Sequence, residues 1–272
     1  MPSDLDIAPR PGVAKPDPVL TIDGLRRSFG GLTAVDVDHL EIQRNTITSI
    51  IGPNGAGKTT LFNLLTGFDV PDEGQCSLEG DLLIGVPAHQ VARRGMVRTF
   101  QLTKVLPRLT VLENMLVAAK GQKGEKLRGA LLGGWRGVER SNVERAREIL
   151  GRFGLSVVAD EYAGRLSGGQ RKLLEMARAL MAEPALVMLD EPTAGVNPVL
   201  IQSLLEHIKG LREAGMTVVF VEHDMDVVQS ISDWVVVVAE GRVIAEGRPG
   251  VIVRDPAVIE AYLGAHRGDE EE

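Results

Sequence analysis

One cysteine in 272 residues, Cys76, excludes an internal disulfide framework and any zinc site built on cysteines. Aromatic residues are scarce at 4%, so each one is a position to account for. No apolar run approaches the ~18–20 residues of a membrane span. The first twenty residues lack the basic-then-apolar order of a signal peptide. Thirty Lys and Arg against 37 Asp and Glu leave a net charge of −7, which argues against broad nucleic-acid binding, although a local basic face could still provide it. These absences describe a soluble, cytoplasmic chain, one able to work at a membrane as a subunit of something larger. The length allows one large domain, or one domain with a lobe inserted in it. A body of about 250 residues buries roughly 70% or more of its unfolded surface and needs no staples.

Residues 1–18 hold five prolines (Pro2, Pro9, Pro11, Pro16, Pro18) and little that could pack, which predicts a disordered tail. Order is expected from Val19, where VLTIDGL and LTAVDVDHLEI alternate roughly around Gly30-Gly31. ITSIIG, ending at Gly52, reads as a buried strand feeding a Gly-rich turn and an apolar helix that stops at Gly67. Short strands follow near Cys76–Leu78 and Gly95–Phe100. From Leu102 to about Met181 the pattern is mainly helical, with Thr110 and Glu113 forming a capping box, a second helix at Asn142–Phe153 and a third from about Gly168. Gly121–Gly137 is rich in Gly, Lys and Arg and reads as a loop with a short helix. Its Leu127, Leu131, Leu132 and Trp135 either tack it down or rest on a partner. Strands return as ALVMLD, TVVFVEH, WVVVVAEG and RVIAEG, the first three separated by helices at Pro198–Glu213 and Asp224–Ser232. That alternation implies parallel strands covered by helices. The expected divisions are an α/β core at 19–101 and 181–250, a helical lobe at 102–180, and a C-terminal helix with an acidic tail at 251–272.

Gly52-Pro53-Asn54-Gly55-Ala56-Gly57-Lys58-Thr59 matches GxxxxGK[ST] without a mismatch, between a strand and a helix. The glycines let successive backbone N–H groups turn toward phosphate oxygens, and the helix N-terminus adds its dipole. Lys58 supplies a charge for the β- and γ-phosphates, and the Thr59 hydroxyl can ligate magnesium. Asp190 ends the apolar run Ala185–Leu189, where a carboxylate can hold magnesium directly or through water. Glu191 follows at once and can polarise an attacking water at the γ-phosphate. With no second substrate signature beside the loop, hydrolysis is favoured over transfer.

Leu166-Ser167-Gly168-Gly169-Gln170, together with the phosphate loop, resembles the nucleotide-binding subunits of ABC transporters. The pentapeptide is that family's signature without departure, and Ser167 at a helix cap with exposed glycine N–H groups makes a second phosphate-binding surface. The resemblance covers roughly residues 19–264 and implies a fold: an α/β P-loop NTPase core of the ABC type with an inserted helical subdomain and an N-terminal antiparallel β region. It implies ATP and Mg2+ as ligands and a head-to-tail pair of subunits, with ATP between the phosphate loop of one and Ser167, Gly169 and Gln170 of the other. On the same grounds Asn54, Gly55, Gly57, Lys58, Thr59 and Thr60 hold the phosphates, and Thr59, Asp190 and Gln101 hold or touch the metal. Glu191 activates water with His223, Gln101 and Lys58 in the catalytic set. Phe29 resembles the aromatic that stacks on adenine, though it could equally be a core residue.

Asn197, within Ala194–Pro198, stands where many relatives carry an aspartate. That form resembles the branch driving import of branched-chain amino acids, with urea or amide importers and the lipopolysaccharide-export ATPase as neighbours. Arg98–Gln101, the basic loop around 121–140, Glu222–Met225 and Ala257–Gly264 resemble the same branch. The implied partners are transmembrane permease subunits, a second ATPase, identical or related, and indirectly a substrate-binding protein, with no nucleic acid. The implied place is the cytoplasmic face of the membrane. Leu102, Val105, Leu106 and Leu109 are the candidate permease contact, or else core. Soluble repair or ribosomal ATPases would need a long coiled coil or a second cassette, and a non-hydrolysing module would not need Glu191 and His223.

Overall fold

The computed structural model describes residues 7–98, 105–119 and 135–268. Thr99–Lys104, including Gln101 and Leu102, and most of the basic loop lie outside the described residues. The elements in chain order begin with β1 (Pro18–Phe29), β2 (Leu32–Gln43), β3 (Ile47–Ile51) and α1 (Lys58–Leu65). β4 (Glu73–Leu78), β5 (Asp81–Leu82), α2 (Ala88–Arg93) and β6 (Met96–Arg98) follow, then α3 (Val111–Val117), α4 (Trp135–Arg152) and α5 (Gly168–Leu180). The chain continues with β7 (Leu186–Asp190), α6 (Pro198–Glu213), β8 (Thr217–Val221), α7 (Met225–Ile231), β9 (Trp234–Ala239), β10 (Arg242–Gly247), α8 (Pro249–Ile252) and α9 (Pro256–Gly268).

Two compact units result: Met1–Arg98 with Ala185–Pro192 and Ile208–Glu272, and Thr99–Pro184 with Thr193–His207. In the first, a six-stranded sheet has the order β10-β9-β3-β8-β7-β6, and an antiparallel sheet has the order β2-β1-β4-β5. All neighbours in the larger sheet are parallel except β10 on β9. Its central strands read ITSII, LVMLD and TVVFV, and every residue of all three is buried. Continuous burial is what a parallel strand covered on both faces requires. Each fully buried Leu, Ile, Val or Phe contributes about 1.5–3 kcal/mol, so the core around Ile22, Leu25, Leu61, Phe62 and Trp234 carries much of the stability.

The N-terminal segment departs from the expected disordered tail. Met1–Asp6 lie outside the described residues, but Val13 and Lys15 are buried. The reason is a polar anchor. Glu246 Oε2 accepts from Lys15 Nζ at 2.7 Å and from Trp234 Nε1 at 3.0 Å, and its Oε1 accepts from Val13 N–H at 3.1 Å. The Lys15 ammonium also lies 4.9 Å from the centroid of the Trp234 ring. The prolines forbid regular structure here without forbidding docking.

The second unit is helical. Thr110 caps α3: its hydroxyl accepts from Glu113 N–H at 3.1 Å while Glu113 Oε2 accepts from Thr110 N–H at 2.7 Å. Ser167 and Gln170 build the same reciprocal box on α5. Val111, Met115, Ala146, Leu150 and Leu174 are buried at or near zero exposure and form this unit's interior. α4 begins at Trp135 rather than Asn142, as its Arg- and Glu-rich sequence favours helix. Thr193–His207, expected with the core, belongs to this unit, and Phe153 stacks on His207 at 4.9 Å between ring centroids.

Candidate functional site

The parallel strands β3, β8 and β7 lie side by side, so their carboxyl ends form one edge, where ligands bind in open α/β sheets. β3 runs straight into the glycine loop. Two of its glycines are indispensable: a Cβ on Gly52 would lie 1.9 Å from the Val238 carbonyl oxygen, and one on Gly57, at φ +97°, would lie 2.1 Å from that of Ala34. Gly57 is also the N-cap of α1 and gives it no side-chain cap, so the helix presents uncapped N–H groups at the loop. Asn54, Gly55 and Thr59 are exposed, and Thr60 is half-buried. Lys58 folds back over the loop, its Nζ donating to the carbonyls of Gly52 at 2.7 Å and Pro53 at 2.8 Å. Burial pushes the Lys58 pKa down, and the Glu191 carboxylate opposes that shift.

Asp190, 7% exposed, ends β7 opposite Val221 of β8. Arg98 Nη2 donates to its Oδ2 at 2.5 Å while Nη1 donates to Asn63 at 2.7 Å, and the guanidinium carbon stands 5.5 Å from the Phe62 ring centroid. A buried carboxylate is costly unless paired, and Arg98 is the pair. Sequence reasoning grouped Arg98 only with the segment ending in Gln101. Its partners lie 35 and 92 residues away, and no local pattern signals them.

Glu191 turns off the strand at φ +45°, with its N–H donating to Val221 C=O at 3.1 Å. A non-glycine residue in that region is strained, and such strain gathers at functional sites. The positive φ at Glu191 breaks the regular alternation of β7 at the residue after Asp190. His223 follows β8 with its side chain exposed and Nδ1 3.9 Å from the buried Glu222 carboxylate. Phe29 ends β1 at 46% exposure, with Arg27 4.6 Å from its ring centroid. It is a presented aromatic, which removes the core alternative.

The signature residues stand in the second unit. Ser167 is exposed, and Gln170 spends its side-chain carbonyl on the Ser167 N–H at 3.0 Å. Gln170 therefore acts as a cap in this arrangement. A Cβ on Gly169 would lie 2.5 Å from Leu200 Cδ1, so glycine keeps that backbone close to α6. Of the expected permease contact, Leu106 is 40% exposed, and the fully buried Asn114 holds its backbone through Oδ1 at 2.8 Å and Nδ2 at 3.0 Å.

Among the described residues no group of three His, Cys, Asp or Glu could hold a metal unaided. Magnesium keeps waters and substrate phosphates and takes only one or two protein oxygens, so its sites need no such group. Asp190 and Thr59 are oxygen donors of the right kind.

Residues 35–194 match the ABC transporter family. The chain belongs to that family. Residues 242–267 of this cassette match a second family, the branched-chain amino acid ATP-binding cassette transporter. The cassette is 43% identical over 250 residues to the high-affinity branched-chain amino acid transport ATP-binding protein BraF of Pseudomonas aeruginosa, covering 91% of this chain and 98% of BraF. Its fold is similar to the ADP conformation of MJ1267, an ATP-binding cassette of an ABC transporter, with TM-score 0.77 and 36% identity over 91% of this chain and 99% of that one. It is also similar to the dimeric post-hydrolysis state of MJ0796 bound to ADP and Pi, with TM-score 0.67 and 27% identity over 85% and 98%. The cassette is thus an ATPase of the ABC type, and its mixed sheet, helical subdomain and N-terminal antiparallel strands are those the resemblance implied.

Proposed function

We propose that this cassette is the ATP-hydrolysing subunit of an importer for branched-chain amino acids, one of two nucleotide-binding subunits seated on transmembrane permeases. The match at residues 242–267 carries the choice of cargo, since the match at 35–194 is to ABC transporters as a whole. The permeases hold it to the cytoplasmic face of the membrane, and a substrate-binding protein delivers the amino acid to them.

In the working cycle Lys58 leaves the loop carbonyls for the β- and γ-phosphates of ATP, joined by the N–H groups around Asn54, Gly55 and Gly57 and by Thr60. Phe29 offers its face to adenine. Thr59 and Asp190 would hold magnesium, with Gln101 as the further residue touching it, and the ion would supply charge neutralisation for the phosphates. Glu191 orients the attacking water and takes its proton on the side-chain carboxylate. His223 contacts the γ-phosphate and, together with Gln101, which touches magnesium and water, reports its departure. Ser167, Gly169 and Gln170 of a second ATPase, identical or related, close over the same nucleotide. Closure is a population shift driven by γ-phosphate contacts made only in the closed state.

The test is affinity purification of the tagged chain from gently solubilised native membranes, with mass spectrometry of its companions. Two permeases, an ATPase partner and a binding protein that takes leucine, isoleucine or valine are expected. Recovery with lipid-export membrane subunits, or with no membrane protein while a control transporter stays intact, overturns the proposal.

A further inference from the structure

Lys172 of α5 is held inside the second unit, a place lysines seldom occupy. A lysine stem ordinarily runs along apolar surface and leaves its ammonium in water. Here the residue is 9% exposed, and its Nζ donates to the Ala194 carbonyl at 2.8 Å. An enclosed ammonium is costly unless it is hydrogen-bonded, so the fold keeps it where that bond is made. Lys172 follows Ser167, the cap of the signature helix, by five residues. Ala194 lies midway between Glu191 and Asn197. The bond therefore joins the signature helix to the segment that runs from the end of β7 into α6.

That segment is a tight turn. Val196 N–H donates to the Thr193 carbonyl at 3.1 Å, and Gly195 between them takes φ +69°. Asn197 then starts α6, its Oδ1 accepting from Val199 N–H at 3.0 Å and its carbonyl from Leu200 N–H at 2.8 Å. Gly195 and Asn197 are exposed, as is Ser167. Apolar packing joins the turn to the helix only in part. Gly169, Gln170 and Leu173 of α5 share a cavity of about 410 Å³ with Val196, Leu200 and Leu204. Side chains across such a space forfeit the contacts of a filled core. The close approach of Gly169 to Leu200 and the Lys172 bond hold the two together where that filling is lacking.

We propose that Lys172 is a positioning residue for the composite nucleotide site: its ammonium locks the turn at Ala194 to the signature helix, so that Ser167, Gly169 and the exposed Gly195–Asn197 meet the second ATPase as one rigid surface. This rests on the ATPase pair proposed above. Lys172 acts through the Ala194 backbone, without contact with ATP, and its effect falls on the surface offered to the partner rather than on this chain's own phosphate loop, which belongs to the first unit.

The experiment compares wild type with Lys172→Met, which keeps much of the stem and removes the ammonium, and with Lys172→Arg, which keeps a charged donor. MgATP affinity is measured on the full isolated chain by titration calorimetry. Amide exchange over residues 193–200 is followed by mass spectrometry, and kcat by phosphate release from the complex recovered on the tagged chain. In Lys172→Met the MgATP Kd is expected to stay within about twofold of wild type, while exchange over 193–200 speeds roughly tenfold, as loss of one charge-assisted hydrogen bond predicts. Its kcat falls about twofold where one composite site is lost, and up to about a hundredfold where closure itself fails. Lys172→Arg recovers most of the wild-type rate. Should Lys172→Met not fold, Lys172→Gln, neutral and polar, takes its place with the same expectations. An unchanged kcat or unchanged exchange over 193–200 overturns the proposal. So does a loss of MgATP affinity in step with kcat, which marks a general structural role. A wild-type complex that hydrolyses no ATP overturns the ATPase reading itself and is told apart by that control.

Discussion

Asp190 sits in a nearly closed site with Arg98 buried beside it, the arginine side chain 7% and the aspartate side chain 9% exposed. The phosphate loop was legible in the sequence because its chemistry is contiguous, from Gly52 to Thr59. The Arg98 pairing was not, because it joins β6 to β7 across 92 residues. The backbone of Glu191 was legible only as a need for the chain to turn, and φ +45° is how the turn is made. Glu191→Gln keeps the shape and removes the proposed base. Its steady-state ATPase rate should fall roughly 10²–10⁴-fold, as loss of a general base predicts, with MgATP binding retained. An undiminished rate in a phosphate-release assay assigns the water to another group. Cys76 gives a pH test. Burial raises its pKa from 9.0 to about 11. Above pH 9 the unfolded chain loses this proton while the folded chain keeps it, so the folded state binds more protons and stability falls as pH rises from about 9 to 11, by about 1.4 kcal/mol per unit at most. Cys76→Ser should flatten that part of a stability-against-pH curve from chemical unfolding, whatever it does to stability at neutral pH.

At the scale of elements, the helix starts were the most readable features, because a capping box is written within four residues. Thr110 with Glu113 was legible in full. Ser167 was legible as a cap but Gln170 as its reciprocal partner was not, since the signature drew attention to nucleotide instead. The N-terminal segment was misread because proline content was taken for disorder, while its anchor lies more than 200 residues away at Glu246. That anchor is a fully enclosed ion pair, with side chains 1% and 0% exposed. Removing one partner strands the other. Lys15→Met should therefore destabilise the protein by about 3–5 kcal/mol in equilibrium urea unfolding, more than an exposed pair could yield. A change below about 1 kcal/mol, the level of a surface pair, contradicts that account.

For the whole molecule, the parallel sheet and its helical insertion followed from the alternation of apolar strands with helices. Strand order could not be read, because β3 pairs with β8 and β9 rather than with its sequence neighbours. Among the described residues no helix is long and apolar enough to cross a membrane. The proposed attachment through permeases then predicts that washing native membranes with alkaline carbonate releases the chain to the supernatant, followed by immunoblot, while the permeases stay in the pellet. Retention in the pellet would require an anchor of its own. The same sheet has a consequence for synthesis. β3 is made early, but Val221 of β8 leaves the ribosome 170 residues after Ile51. At about 5–20 residues per second, a strand whose every residue is buried in the fold waits uncovered on the order of ten to thirty seconds for its neighbours. Production of this protein in cells should therefore depend on chaperones that shield nascent chains, and slowing translation before β8 should increase aggregation instead of relieving it.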